Sequence, residues 1–162
     1  MTSKEIEKYR ETAEIYHGDD LCKQKSMELM EELSLPKGIL PMDSNILEVG
    51  YNRSASFVWQ IRKKKYQHFF QKIGRKTSYG TEVTAFVEKH RMKKLTGVKT
   101  KELLFWVPIS EISIDDPASQ NITFKATVGL SQTFPVSAFE IEEEEQELEE
   151  EEEKEEEKEE GK

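Results

Sequence analysis

The sequence has only one cysteine, Cys22, and it has no long run of apolar residues. A lone cysteine cannot close an intrachain disulfide, which fits either a reducing compartment or a thiol that the protein does not need. No stretch approaches the roughly 18 apolar residues that a membrane-spanning helix needs, and the charged start, Met-Thr-Ser-Lys-Glu, is not that of a secretory signal. We therefore expect one domain in a protein that is cytoplasmic, or peripheral to a membrane, and not secreted.

Motifs for catalysis and for cofactor binding are also missing. The sequence has no Gly-x-Ser-x-Gly element and no glycine-rich phosphate loop, and its three histidines, His17, His68 and His90, lack the spacing of a zinc site. These absences predict a non-enzymatic protein with no catalytic residues, no metal and no cofactor. A pairing of Cys22 with one histidine stays conceivable, but the residue pattern favours a small buried hydrophobe at Cys22.

Charge is distributed unevenly along the chain. Residues 140–162 contain 16 Glu and 3 Lys, a net charge of −13, whereas the preceding 139 residues contain 17 acidic and 21 basic side chains, a net charge of +4. A run of like charges this dense cannot bury apolar surface, so we expect a disordered acidic tail. On its tether the tail either screens basic residues of its own domain and competes with anionic ligands, or serves only solubility.

A junction between helix and strand is predicted at Leu35–Pro41, where two prolines bracket Gly38. Proline disfavours helical geometry in the residue before it, and glycine eases the turn. Ahead of the junction, apolar residues recur at helical spacing over about residues 3–16 and 20–33. The stripe that the second helix should pack on the sheet consists of Cys22, Ser26, Leu29, Met30 and Leu33.

After the junction the apolar pattern changes to the alternation of β-strands. The candidate strands are Ile46–Tyr51, Phe57–Arg62, Tyr66–Ile73, Thr77–Glu88, Met92–Val98, Leu103–Val107, Asn121–Thr127 and Phe134–Ile141. Leu103–Val107 is apolar on both faces, which is typical of a central strand covered from two sides, and Pro108 indicates a bulge or an edge.

Together these segments predict a mainly β protein: an antiparallel β-barrel, or a barrel-like sandwich, of seven to nine short strands preceded by two N-terminal helices. Its parts would be N-terminal helices packing on the barrel at residues 1–34, the barrel at 35–139 and the tail at 140–162.

Seven segments, taken in order, resemble one family. They are Leu35–Pro41, Glu48–Tyr51, Val58–Trp59, Ser78–Thr84, Lys93–Lys99, Leu103–Val107 and Ser131–Phe139. Over about residues 10–140 the chain resembles the plant family catalogued as domain of unknown function five-thirty-eight, above all its intracellular branch. Many members have a signal peptide and barrel cysteines, which this chain lacks, and the acidic tail lies outside the shared domain.

This resemblance implies a β-barrel-like domain behind N-terminal helices. The family has been compared with bactericidal permeability-increasing proteins, which implies a lipid or amphiphile ligand. It also implies a role in trichome and epidermal growth or stress, and ester hydrolysis as an alternative activity.

The strongest candidate site is a basic stripe. Residues 62–76 contain seven basic side chains and no acidic one, interleaved with aromatic residues, and residues 89–101 contain six more. On neighbouring strands they would suit lipid head groups, although a solvated hairpin end kept soluble by lysine gives the same pattern. Nucleic acid is a weaker candidate, because no RNA-recognition motif is present and the tail would repel phosphates. The predicted anionic-ligand contacts are Arg62, Lys63, Lys64, Lys65, Lys72, Arg75, Lys93 and Lys94.

Four aromatic residues would line a cavity if the barrel encloses one, namely Trp59, Phe105, Trp106 and Phe134; otherwise they belong to the core. We therefore predict a non-enzymatic protein that binds an amphiphile or an anionic lipid surface. The alternatives are an ester hydrolase and an interaction module with a protein partner.

Overall fold

The computed structural model describes residues 3–41 and 45–140. The chain begins with helix α1 (Lys4–Arg10), strand β1 (Glu14–His17), helix α2 (Asp19–Glu32) and a 3₁₀ helix at Lys37–Ile39. The strands that follow are β2 (Ile46–Asn52), β3 (Phe57–Arg62), β4 (Tyr66–Phe70), β5 (Arg75–Glu88), β6 (Arg91–Glu102), β7 (Phe105–Ser113), β8 (Asn121–Ala126) and β9 (Ser131–Pro135). Two further 3₁₀ helices lie at Pro117–Ser119 and at Val136–Phe139, the latter called here the C-terminal 3₁₀ helix.

All nine strands belong to one antiparallel sheet, which confirms the mainly β prediction. The hydrogen-bonded order is β1-β2-β3-β5-β6-β7-β8-β9, and β4 pairs with β5 outside this path. β5 is long enough to have two partners on one side: β4 pairs with residues 75–79 and β3 with residues 82–86. The connection Lys63–Lys65 between these partners therefore lies beside the middle of β5, where β5 also shifts register against β6.

The sheet is not closed into a barrel by hydrogen bonds among the described residues, and the predicted closure is wrong in this respect. Pro135 ends β9, because proline has no amide hydrogen to extend a ladder, and the chain turns into the C-terminal 3₁₀ helix. The buried ring of Phe139 in this helix packs against Phe70 of β4 and Phe124 of β8, at centroid distances of 4.9 and 5.1 Å. Side-chain packing thus fills the gap that a barrel would close with backbone hydrogen bonds.

The N-terminal region differs from the prediction of two helices ahead of the sheet. α1 ends at Arg10, and Glu14–His17 pairs with β2 as an edge strand, so only α1 precedes the first strand. The strand pairing overrides the helical spacing of this short segment, as tertiary context commonly does. α2 agrees with the prediction, and Cys22, Ser26 and Met30 of its predicted stripe are buried.

The prediction of a central strand at Leu103–Val107 is also wrong. Leu103 and Leu104 form the two-residue turn between β6 and β7, and both side chains are exposed. A short apolar run is consistent with a covered strand, but its pattern alone does not show whether the run is a strand or a turn. The last candidate strand, Phe134–Ile141, is also wrong over most of its length: β9 is Ser131–Pro135, Val136–Phe139 forms the C-terminal 3₁₀ helix, and Ile141 lies outside the described residues.

The main core lies on one face of the curved sheet. Strands as far apart in the sheet as β3 and β8 contribute to it, together with the end of α2 and the junction segment. Two buried hydrogen bonds attach that segment: Tyr79 Oη donates to the carbonyl of Ile39 (2.7 Å), and Arg62 donates to that of Pro41 (2.8 Å). A smaller cluster of Ile6, Phe57 and Trp59 packs under α1.

A buried carboxylate attaches the N-terminal elements to the sheet. Glu48 of β2 accepts two hydrogen bonds from the Arg10 guanidinium at 2.9 Å each and one from Trp59 Nε1 at 2.8 Å, and His17 Nε2 lies 2.8 Å away. Burial is the largest influence and acts to raise the pKa of Glu48, but the bonds from Arg10, Trp59 and His17 together hold this pKa below its usual value. We interpret this cluster as structural.

Replacing Glu48 with glutamine is expected to lower the free energy of unfolding at neutral pH by about 2–3 kcal/mol, because the part-buried Arg10 loses its two-bonded carboxylate and keeps the longer contact with Glu7 at 3.7 Å. In the native protein the folded-state pKa is depressed, so the stabilisation is complete above the unfolded-state pKa of about 4.3 and is lost as pH falls through the folded value. Urea unfolding at several pH values should show this slope in the native protein and a flatter one in Glu48→Gln. Glu32→Gln, which removes an exposed partner of Arg53, is the control; an equal loss there would contradict the prediction.

Candidate ligand site

Three turns lie together at one end of the sheet, called here the loop end. They are the β4–β5 turn at residues 71–74, the β6–β7 turn at 103–104 and the β8–β9 turn at 127–130. Strand register brings the first two together, since Arg75 Nη1 contacts Glu102 Oε2 at 2.5 Å. The third turn is adjacent because the amide of Thr127 donates to the carbonyl of Pro108 at 3.0 Å.

A cavity of about 300 Å³, called here the end cavity, opens among these strands at the loop end. Its apolar wall comes from separate elements: Phe105 and Ile109 of β7, Phe124 of β8, Phe134 of β9 and Phe139 of the C-terminal 3₁₀ helix. Phe134 meets Phe124 edge-on at 5.7 Å between centroids. The cavity therefore continues the main core outward, with one end toward solvent.

One ion pair lies in the wall of this cavity. Among the described residues that line it, Arg75 and Glu102 are the only charged ones, and their side chains are 31 and 29 % exposed. The remaining polar lining consists of Thr77, Thr100 and Gln132. A single cation beside an aromatic wall can hold an acidic head group while the wall takes the apolar part of the same molecule.

The structure brings together two of the four aromatic residues that were predicted to line a cavity. Phe105 and Phe134 both face the end cavity. Trp59 is buried in the cluster under α1, where its indole lies across Gly50 and binds Glu48. Trp106 is half-buried beside Lys101, whose ammonium lies 5.8 Å from its ring centroid.

The predicted basic stripe is divided among separate places. Arg62 is only 2 % exposed and donates to Gln60 Oε1 at 2.6 Å, so it belongs to the interior and not to a surface stripe. Lys63, Lys64 and Lys65 are exposed in the β3–β4 connection, about 17 Å along β4 from the loop end. Alternation along β3 gave no signal for this burial, because Arg62 shares the more polar face with Gln60 and the strand is covered on both faces.

The other predicted basic residues fall at the two ends of the sheet. Lys93 and Lys94 lie near the β5–β6 turn, where Lys93 pairs with Glu88 at 3.5 Å and Lys94 lies over Phe86 at 5.5 Å. Lys72 and Arg75 lie at the loop end, and Lys72 Nζ donates to the carbonyl of Ser137 at 3.2 Å. Of the predicted anionic-ligand contacts, only these last two lie beside the end cavity.

Sequence reasoning missed the exposed apolar side chains of the loop end. Leu103, Leu104, Phe105, Val128 and Leu130 are 93, 87, 71, 74 and 72 % exposed. A signal was present, since Gly129 lies between Val128 and Leu130 and is a turn residue, with φ +89°.

The thiol considered for ester hydrolysis bonds to a backbone carbonyl and not to a histidine. Cys22 is fully buried and its thiol donates to the carbonyl of Tyr16 at 3.3 Å; burial, the largest influence, raises the pKa of this thiol. His17 contacts Glu48, and His68 Nδ1 lies 3.3 Å from the hydroxyl of Tyr66. A raised pKa leaves a thiol protonated and poorly nucleophilic.

Fold and site together define a small antiparallel β protein with an apolar cavity at one end of its sheet. The chain belongs to the family described as "Protein of unknown function, DUF538", which matches residues 26–140, from within α2 to the end of the C-terminal 3₁₀ helix. No curated protein and no solved structure matches the chain. Among the helices that the structure describes, none has the length and apolarity to cross a membrane. The acidic tail beyond Glu140 lies outside the described residues, so its screening role stays a prediction.

Proposed function

We propose that this chain is a non-enzymatic protein that binds an anionic amphiphile in the end cavity. The observation that carries the proposal is the combination of an aromatic wall, from Phe105 to Phe139, with one arginine, Arg75, at a cavity that opens to solvent. The volume of about 300 Å³ is at the small end of the range for ligand pockets, which suits a single acyl chain better than a two-chain lipid.

The Arg75–Glu102 pair favours an acidic head group over a neutral one. Both side chains are partly exposed, so their ion pair is weak and can be rearranged. A guanidinium has five donors in a fixed fork, and Arg75 can therefore accept a ligand carboxylate or phosphate while it keeps its contact with Glu102. The negative charge of Glu102 repels an anionic ligand and therefore offsets part of the attraction between that ligand and Arg75.

A pair of substitutions with opposite expected effects tests this site. Arg75→Gln should weaken binding of dansylaminoundecanoic acid, a fluorescent carboxylate amphiphile, by about tenfold, because it removes one charge-assisted hydrogen bond. Glu102→Gln should tighten binding of the same probe, since the opposing charge is lost. Fluorescence titration of the full chain below the probe's micelle concentration measures both changes.

Two controls make this titration specific. The methyl ester of the probe has the same chain and no charge, so its affinity should be the same in all variants. Lys93→Gln removes a cation far from the cavity and should leave the affinity for the acid unchanged. Absence of probe binding, or equal affinity of Arg75→Gln and native protein for the acid, would overturn the proposal; hydrolysis of the ester would support the hydrolase alternative instead.

The wider role is proposed from the family resemblance. We place the chain in the intracellular branch of a plant family, the branch that includes the smaller-trichomes-with-variable-branches protein, with a role in epidermal growth or stress. The exposed apolar residues of the loop end support the protein-interaction alternative. They occur together, whereas only single exposed apolar residues are expected on an ordinary surface. The following inference concerns these residues.

A further inference from the structure

The exposed apolar side chains of the loop end are held outward by backbone structure. The β6–β7 turn is closed by the pairing of Glu102 with Phe105, which leaves Leu103 and Leu104 at its tip with no strand partner. The β8–β9 turn is closed by the amide of Ala126, which donates to the carbonyl of Leu130 at 2.7 Å. Two hydrogen-bonded turns therefore present leucine and valine side chains to solvent beside the cavity, whose wall includes the neighbouring Phe105 and Leu130.

Basic residues surround these tips. Four exposed lysines lie on the strands and turns that meet at the loop end, namely Lys72, Lys76, Lys99 and Lys101. Among the described residues, the acidic side chains beside them are Glu102, which is paired with Arg75, and Glu140, whose amide donates to the same Ser137 carbonyl that Lys72 contacts. Within residues 3–41 and 45–140 the loop end is therefore locally positive, although the whole chain has a net charge of −9.

We propose that the loop end docks on an anionic lipid bilayer. Leu103, Leu104 and Val128 insert at the boundary between head groups and acyl chains, and the lysines behind them contact lipid phosphates and carboxylates. In this orientation the apolar side chains meet the acyl chains and the lysines meet the anionic head groups. The two layers of the protein surface thus match the two layers of the bilayer surface. A protein partner would need an acidic rim around an apolar centre to match the same cations.

Docking rests on the tips and the lysines and does not require the proposed cavity ligand. The mouth of the end cavity opens between the same turns, because Phe105 and Leu130 belong both to the exposed set and to the cavity wall. A docked molecule would thus have its cavity facing the lipid, and passage of a single-chain anionic lipid into the cavity is the part that depends on the proposed function.

Vesicle co-sedimentation of the full chain tests docking. The native protein should bind phosphatidylcholine vesicles that contain phosphatidylserine, bind pure phosphatidylcholine vesicles weakly, and lose affinity as salt is raised, because the lysine attraction is screened. The double substitution Leu103→Ser and Leu104→Ser should reduce binding by about tenfold or more, since two apolar side chains no longer leave water. Leu47→Ser, at a leucine on β2 that is 49 % exposed, is the matched control and should bind as the native protein does.

Each outcome decides between docking and its alternatives. No binding by the native protein, or equal binding by the double variant, overturns docking. A concentration-dependent dimer in gel filtration that the double substitution abolishes would assign the tips to a second copy and also overturn it. Arg75→Gln separates the two proposals: loss of soluble-probe binding with vesicle binding retained leaves both intact, whereas vesicle binding without any probe binding by the native protein leaves docking alone.

Discussion

Replacement of Phe139 by alanine is expected to lower the free energy of unfolding by about 3–5 kcal/mol. The ring is 1 % exposed and packs against Phe70, Phe124 and Phe134, so its removal leaves a void among three other rings. Phe139 is expected to contribute strongly to stability, because the C-terminal 3₁₀ helix fills the gap where the described strands lack hydrogen-bonded closure. The same change would remove the inner wall of the end cavity.

Urea unfolding followed by tryptophan fluorescence measures this loss, and Phe69→Ala is its matched control. Phe69 is on β4 beside Phe70 and is 54 % exposed, so the same substitution there should cost about 0.5 kcal/mol. A similar small cost at Phe139 would show that the C-terminal 3₁₀ helix is not part of the cooperative unit. The slope of the transition should stay unchanged if only the folded state is affected.

The local alternation of apolar residues predicted most of the strands but not their arrangement in the sheet. Alternation along Phe57–Arg62 and Thr77–Glu88 predicted β3 and β5 because side chains in a strand point to opposite faces whatever the partners are. β1 was missed, since Tyr16 continues the helical spacing of Ile6, Tyr9 and Ala13, and its partner on β2 is more than 30 residues away. Barrel closure failed for a related reason: it depends on β9, whose continuation is ended by Pro135.

The candidate site could be predicted only in part, because the type of a residue does not determine which way its side chain points. Phe105 and Phe134 were named as cavity residues, yet their meeting depends on the curvature of the sheet, which no spacing reveals. Arg62 was assigned to the surface by its charge, whereas its strand face points inward. Leu104 was assigned to the interior by its apolarity, whereas the turn exposes it. Both errors follow from treating polarity as if it determined burial.

Curvature of the long hairpin depends on Gly97 of β6. Its φ is +82°, and a Cβ built there would lie 2.1 Å from the carbonyl oxygen of Glu82. Between the pairs Tyr79–Val98 and Thr84–Thr96, β5 advances five residues while β6 advances two, so a bulge places this backbone contact at the bend. Since the obstacle is backbone and not a flexible side chain, the strands themselves must move to accept any larger residue.

Gly97→Ala is therefore expected to lower the free energy of unfolding by about 3–5 kcal/mol, the sum of an unfavourable left-handed conformation and a displaced strand pair. Gly129→Ala separates these two contributions, because Gly129 has φ +89° but its added Cβ would meet nothing within 4 Å. That variant should lose only about 1–2 kcal/mol, the cost of the conformation itself. Urea unfolding of both variants measures the difference, and equal losses would show that the contact with Glu82 relaxes easily. A large difference would show that the bend of β5 and β6, on which the end cavity depends, requires glycine at position 97.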